Sequence, residues 1–174
     1  MKKAQRCISL IGFMGTGKTT IGRALASSLS RDFIDTDSLV EKRVGKSISR
    51  IFSEDGEAFF REAEAKIVKE VCGVRSSVVA LGGGAILNPE SSGLVKENSV
   101  VVLLRSSVET IIARTSYNKL RPLLDVRNEG LEQRVATLLA ERENAYSDAK
   151  DIEINTDTLS VGEAVSEIIG RLEL

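Results

Sequence analysis

Histidine is missing from all 174 residues. Any acid–base work must therefore fall to carboxylates, lysine or water. Cysteine appears only twice, at Cys7 inside an apolar run and at Cys72 near the end of a helical pattern. Two thiols so placed supply neither a disulfide framework nor a four-cysteine zinc site, and a reducing cytoplasm is the expected setting. No apolar run approaches the ~18 residues of a membrane span. Met1-Lys2-Lys3 is followed almost at once by a strand pattern, so no signal or transit peptide is expected. Excess charge of one sign is lacking as well. The 24 Lys+Arg and 25 Asp+Glu leave a net −1, which argues against nucleic acid or a membrane surface as the main partner. What remains is an ordinary globular composition, 42% apolar and 28% charged, with enough chain for one α/β core spanning residues 1–174.

Short apolar runs recur at Cys7–Ile11, Phe33–Ile34, Val78–Leu81, Val100–Leu104 and Ile152–Ile154. Continuous runs of this kind read as parallel strands buried on both faces. Helical patterns separate them. Lys18 to Leu29 aligns Ile21, Leu25 and Leu29; Glu57 to Cys72 aligns Phe60, Ala63, Ile67, Val68 and Val71. Ser106-x-x-Glu109 and Ser160-x-x-Glu163 read as capping boxes that open two later helices. The alternation predicts a parallel sheet covered by helices on both faces, with ligands bound beyond the carboxyl ends of the strands. Asp35 to Phe60 and Ser116 to Glu129 break the rhythm. The first reads as a substrate-binding insertion, the second as a lid.

The first strand runs straight into Gly12-Phe13-Met14-Gly15-Thr16-Gly17-Lys18-Thr19, which fits G-x-x-x-x-G-K-[ST], the phosphate-cradling loop of nucleotide-binding proteins. Glycines let the backbone amides approach a polyphosphate, and the following helix offers its positive end. Lys18 is placed to reach the β- and γ-phosphates, and Thr19 to ligate Mg²⁺. Asp35 and Asp37 end the second strand as a carboxylate pair. Asp35 suits Mg²⁺, while Asp37 suits an acceptor hydroxyl. Asp37 is equally placed to cap a helix over Ser38–Val44, where Ser38-x-x-Glu41 resembles a further capping box. Val78-Val79-Ala80-Leu81 leads into Gly82-Gly83-Gly84 where many ATPases carry a magnesium-binding aspartate. The three glycines offer close approach and free N–H donors, or form a plain tight turn. Asn118-Lys119 continues into Leu120-Arg121, so a guanine-specifying Asn-Lys-x-Asp motif is absent. Arg61, Arg114, Arg121 and Arg142 stand out as cations, of a type suited to bidentate carboxylate recognition.

Taken in order, these motifs resemble the shikimate kinases, a family in the nucleoside-monophosphate-kinase-like group of P-loop proteins. The resemblance runs from Gly12 to about Thr156. It rests on the phosphate loop, Asp35-Thr36-Asp37, Ile51-Phe52 through Gly56-Glu57, Phe60-Arg61, Gly82-Gly83-Gly84, Arg121-Pro122-Leu123-Leu124 and Arg142-x-x-x-Tyr146. It implies a three-layer P-loop fold with a five-stranded parallel sheet in the order 2-3-1-4-5, a substrate-binding insertion at about 35–61 and a lid at about 116–129. It implies transfer of the ATP γ-phosphoryl group to the 3-hydroxyl of shikimate, on the path to chorismate and the aromatic amino acids. Asp37, Arg61, Gly83 and Arg142 would bind shikimate, the two arginines on its carboxylate and Asp37 as base. Gly15, Thr16, Gly17, Lys18, Thr19 and Thr20 would hold the ATP phosphates, Thr19 and Asp35 would serve Mg²⁺, Arg121 would reach over from the lid, and Arg114 would pack on adenine. The implied protein is a cytoplasmic monomer acting on a small molecule, with Lys18, Asp37 and Arg121 as its catalytic residues. Asn155 stands where many relatives have aspartate, and nothing is carried over for the adenine loop.

Three other readings remain open at this point. A sugar-acid kinase such as gluconate kinase needs the same loop and a carboxylate grip. A nucleoside monophosphate kinase would not need a hydroxyl-orienting aspartate. A non-catalytic module could keep the fold while losing the chemistry, although Lys18, Asp35, Asp37, Arg61, Arg121 and Arg142 are all present.

Overall fold

The computed structural model describes residues 6–72, 74–115 and 130–172. Its centre is β1 (Cys7–Ile11), whose five residues are all buried. Around it lie β2 (Asp32–Asp35), β3 (Ser77–Ala80), β4 (Ser99–Arg105) and β5 (Ile152–Asn155). The strands are parallel and ordered β2-β3-β1-β4-β5, as the resemblance implies.

Alternation along β1 divides the interior in two. Cys7 and Ile11 face a core completed by Val40, Ile51, Phe60, Ile67, Val68 and Tyr146. These come from α2 (Thr36–Val44), α3 (Ile48–Glu54), α4 (Glu57–Val71) and α7 (Leu131–Ala149). Ile8 and Leu10 face a second core with Ile21, Leu25, Ala164, Val165 and Ile168, from α1 (Lys18–Ser28) and α8 (Val161–Arg171). Each fully buried leucine or isoleucine contributes about 1.5–3 kcal/mol, so a strand loaded on both faces anchors the whole fold. A smaller cluster of Phe13, Ile111, Val135 and Leu138 supports the phosphate loop from below. It joins α7 to α6 (Val108–Thr115). A 3₁₀ turn (Ala85–Leu87) and α5 (Pro89–Asn98) complete the described chain.

Three capping expectations are corrected. Asp35, not Asp37, caps α2, its side chain accepting from Ser38 N; Asp37 lies within the first turn. Glu41 is drawn away to accept from Ile48 N, so the Ser38–Glu41 box does not form. At α6 the hydroxyl accepting from Thr110 N belongs to Ser107, because Ser106 turns toward Thr156 instead. The Ser160–Glu163 box forms as read. Helices α3, α5 and α7 are additions to the sequence reading.

The register delivers the site. Asp35 of β2 and Leu10 of β1 both pair with Ala80 of β3, so the phosphate loop, the acidic pair and the triple glycine leave the sheet at one level. Arg105 closes β4, bound in bidentate fashion to Glu143 of α7 at 2.6 Å twice and to Glu153 of β5 at 2.8 Å.

Candidate active site

A cavity of about 710 Å³ opens at that edge. One wall is the phosphate loop and the start of α1. Gly17 immediately precedes the helix with φ 95°, so α1 begins with its amide end toward the cavity. Lys18 bends back over the loop and donates to the carbonyls of Gly12 (2.8 Å) and Phe13 (2.9 Å). Its ammonium is therefore held at the loop. The next residue, Thr19, donates its hydroxyl to Asp35 Oδ2 at 2.8 Å. A hydroxyl and a carboxylate side by side, next to a phosphate loop, fit the sparse oxygen set with which Mg²⁺ is bound when phosphates and water complete its shell. Gly15, Thr20 and Arg114 line the same space, whereas Thr16 is buried in the loop and donates to Phe13 O at 2.8 Å.

The opposite wall carries Arg61 and Arg142 beside Asp37 and Glu64. Arg61 and Glu64 share one face of α4 through their i,i+3 spacing. Arg61 donates to Glu64 at 2.7 Å and to Glu57 at 3.0 and 3.2 Å, and its guanidinium lies 5.2 Å from the centre of the Phe60 ring. Burial alone would favour the neutral form of Arg61, but the two glutamates leave it more firmly protonated than usual. Glu64 is 3% exposed. Burial pushes its carboxyl up, Asp37 adds to that, and Arg61 opposes it.

Arg142 enters from α7, buried, with its guanidinium over the Phe13 ring at 5.1 Å and a bond to Gly83 O at 3.2 Å. Tyr146, one turn on, donates to the same carbonyl at 2.6 Å. The triple glycine runs between these side chains. A Cβ at position 84 would come within 2.4 Å of Arg61 Nη1, and one at position 82 within 2.6 Å of Asp37 Oδ1. Glycine is required here for close approach. The expectation of free amide donors needs correction at Gly82, whose N–H is taken by Thr36 Oγ1 at 2.9 Å.

Asp35, Asp37, Arg61, Gly83, Arg114 and Arg142 thus line one cavity with the phosphate loop. Arg121 and the segment 116–129 lie outside the described residues. Arg114 is pinned along one edge, donating to Gly15 O, Ser106 Oγ and Thr156. Sequence reasoning missed Glu64. The signal was present: a carboxylate on the buried stripe of α4 between Phe60 and Ile67, a position where an unpaired charge is costly.

Residues 14–173 match the family described as shikimate kinase. A relative named shikimate kinase from Pelotomaculum thermopropionicum is 45% identical over 95% of each chain. Another of that name, from Chlorobium chlorochromatii, is 42% identical over 99% of this chain and 94% of its own. Among solved structures, shikimate kinase from Acinetobacter baumannii in complex with shikimate superposes with a TM-score of 0.92. It is 36% identical, with 97% of this chain and 93% of that one covered. A gluconokinase from Sinorhizobium meliloti, at 16% identity and a TM-score of 0.62, shares the fold alone. The chain belongs to the shikimate kinase family, a family of ATP-dependent kinases.

Proposed function

We propose that this protein moves the γ-phosphoryl group of ATP to the 3-hydroxyl of shikimate, with each site residue in a definite role. The observation that carries this reading is the convergence of Arg61 and Arg142 on Gly82–Gly84, beside Asp37 and across one cavity from the phosphate loop. Two guanidiniums suit a carboxylate. Arg142, buried at 3% exposure, gains most from an anionic partner because little solvent screens it.

In this reading the loop amides and α1 hold the triphosphate, and Lys18 exchanges its carbonyl partners for phosphate oxygens. Thr19 and Asp35 hold Mg²⁺, which when bound neutralises charge on the transferring group. Asp37 aligns the acceptor hydroxyl and accepts its proton as the oxygen–phosphorus bond forms and the bond to ADP breaks. Phosphoryl transfer passes through a loose transition state, so alignment and charge neutralisation dominate over the strength of the base. Arg114, pinned at one edge, offers a flat guanidinium face to adenine, and the family resemblance adds Arg121 as a further cation. Residues 35–61 form the acceptor-binding insertion of a single domain, expected to act as a cytoplasmic monomer without nucleic acid or membrane. Among the described residues no helix is long and apolar enough to cross a membrane.

A coupled ADP-release assay comparing shikimate, gluconate and nucleoside monophosphates tests the reading. Turnover is expected with shikimate. Robust turnover with gluconate alone would overturn the substrate while leaving the fold intact.

A further inference from the structure

Thr156, the first residue after β5, is 2% exposed and has no place in the reaction described above. Its hydroxyl is nevertheless crowded with partners: Ser106 Oγ at 2.8 Å, Arg114 Nη1 at 3.1 Å, and the carbonyls of Thr16 and Arg105, each at 3.1 Å. A hydroxyl has one proton to give and two lone pairs to offer. Arg114 only donates and the two carbonyls only accept, so a bond to either carbonyl spends the proton and leaves the lone pairs to Arg114 and Ser106. Arg105 O already receives the Thr156 amide at 2.8 Å, so the backbone of Thr156 holds that carbonyl, whereas it is the Thr156 hydroxyl that reaches Thr16 O. The Thr156 carbonyl in turn accepts from Arg114 Nη2 at 2.7 Å, and Arg114 Nη1 reaches Gly15 O at 3.3 Å.

Thr16 O belongs to the peptide that carries the Gly17 N–H. That unit is planar and trans, so its carbonyl and its N–H point in opposite directions. Holding the carbonyl from behind therefore sets the aim of an amide at the mouth of α1, where Gly17 lines the cavity. We propose that Thr156 is a positioning residue for the nucleotide: its buried hydroxyl fixes the Thr16–Gly17 peptide and the Arg114 guanidinium together, joining the phosphate loop to the exits of β4 and β5. It touches no reacting atom, and its effect falls on ATP and ADP, not on the acceptor, whose contacts lie across the cavity. This rests on the reading of the loop as the nucleotide site.

The test compares the parent chain with Thr156→Val, which keeps the shape and removes the hydroxyl, and Thr156→Ser, which restores it. ADP affinity is measured by calorimetry, and KM is determined separately for ATP and shikimate. Loss of one buried hydrogen bond predicts ADP binding weakened about tenfold in Thr156→Val, with a matching rise in KM for ATP and an unchanged KM for shikimate. Thr156→Ser returns both nucleotide values to the parent's. Equal ADP affinity in parent and Thr156→Val overturns the proposal, as does equal weakening toward both substrates or failure of serine to rescue. Should the valine variant not fold, Thr156→Ala against Thr156→Ser gives the same comparison with the same deciding outcomes. If the parent itself binds no ADP, the nucleotide site is misassigned and this inference falls with it.

Discussion

Glu64 holds Arg61 with one oxygen and faces Asp37 with the other. Its Oε2 accepts from Arg61 Nη1 at 2.7 Å. Its Oε1 is buried and has no hydrogen-bond partner among the described residues. A Cβ on Gly82 would lie 2.4 Å from that oxygen and 2.6 Å from Asp37 Oδ1, so the two carboxyl groups meet across a glycine. One side chain thereby aims a guanidinium while its unsatisfied oxygen borders the carboxylate that aligns the acceptor.

Removing Glu64 should loosen the aim of Arg61 without touching the nucleotide wall. Glu64→Ala is expected to raise KM for shikimate about 10–100-fold, the equivalent of losing one charge-assisted hydrogen bond, with KM for ATP unchanged. Glu64→Gln keeps an oxygen for Arg61 and turns an amide donor toward Asp37, so its KM should stay much nearer the parent's. Steady-state kinetics with each substrate varied in turn decides it. A parental KM for shikimate in the alanine variant would refute the aiming role.

Asp37 has a different signature. Asparagine preserves size and a hydrogen-bond acceptor but loses the negative charge and the proton sink. Asp37→Asn is therefore expected to lower kcat by at least about 10²-fold while ADP affinity, measured by calorimetry, stays as in the parent. Normal turnover in that variant would remove Asp37 from the mechanism.

How much of this was legible in the residues alone depended on the range of the interaction. The sheet was, because β1 and β4 are unbroken apolar runs whose burial on two faces follows from composition. The phosphate loop was, because its chemistry is local. The capping of α2 was misread because Asp35 and Asp37 are both plausible caps, and the choice is made by where β2 ends in its register with β3. Ser106 was misread for a similar reason: its hydroxyl serves Thr156, fifty residues away. The Gly82 amide was expected to be free, yet Thr36 occupies it across the β2–β3 join. Each of these three choices turns on a partner distant in sequence, which no local pattern encodes, whereas Glu64 was missed although its signal on the α4 stripe was local.

Tyr146 supplies a test of the platform beneath the acceptor. Its hydroxyl donates to Gly83 O at 2.6 Å and is itself buried. Burial raises its pKa, so it stays a donor at all ordinary pH. Tyr146→Phe leaves that carbonyl to Arg142 alone. A loss of about 1–2 kcal/mol is expected, seen as a fall in Tm of about 2–8 °C, together with a modest rise in KM for shikimate. An unchanged melting curve would show that the bond contributes nothing.

The Arg105–Glu143 pair makes a prediction about acid. The Arg105 hydrogen bonds, seconded by one from Ser147, hold the Glu143 carboxyl down at about 2, against an ordinary value of 4.5. Its folded pKa is depressed, so the pair's contribution is complete above the unfolded value and fades as pH falls from about 4.5 toward 2. The Glu143 side chain is 47% exposed, and solvent screening limits the contribution to about 1 kcal/mol or less. Glu143→Gln is therefore expected to melt about 1–4 °C below the parent at pH 7, with the gap closing as both are titrated through that window. Glu153 also bonds Arg105 and titrates in the same direction, so the comparison must be made between parent and variant at each pH. Calorimetric scans at fixed ionic strength would show it, and high salt should narrow the neutral-pH gap through screening. A gap of constant size from pH 7 down to 2 would mean that the glutamate acts through its packing and not through its charge.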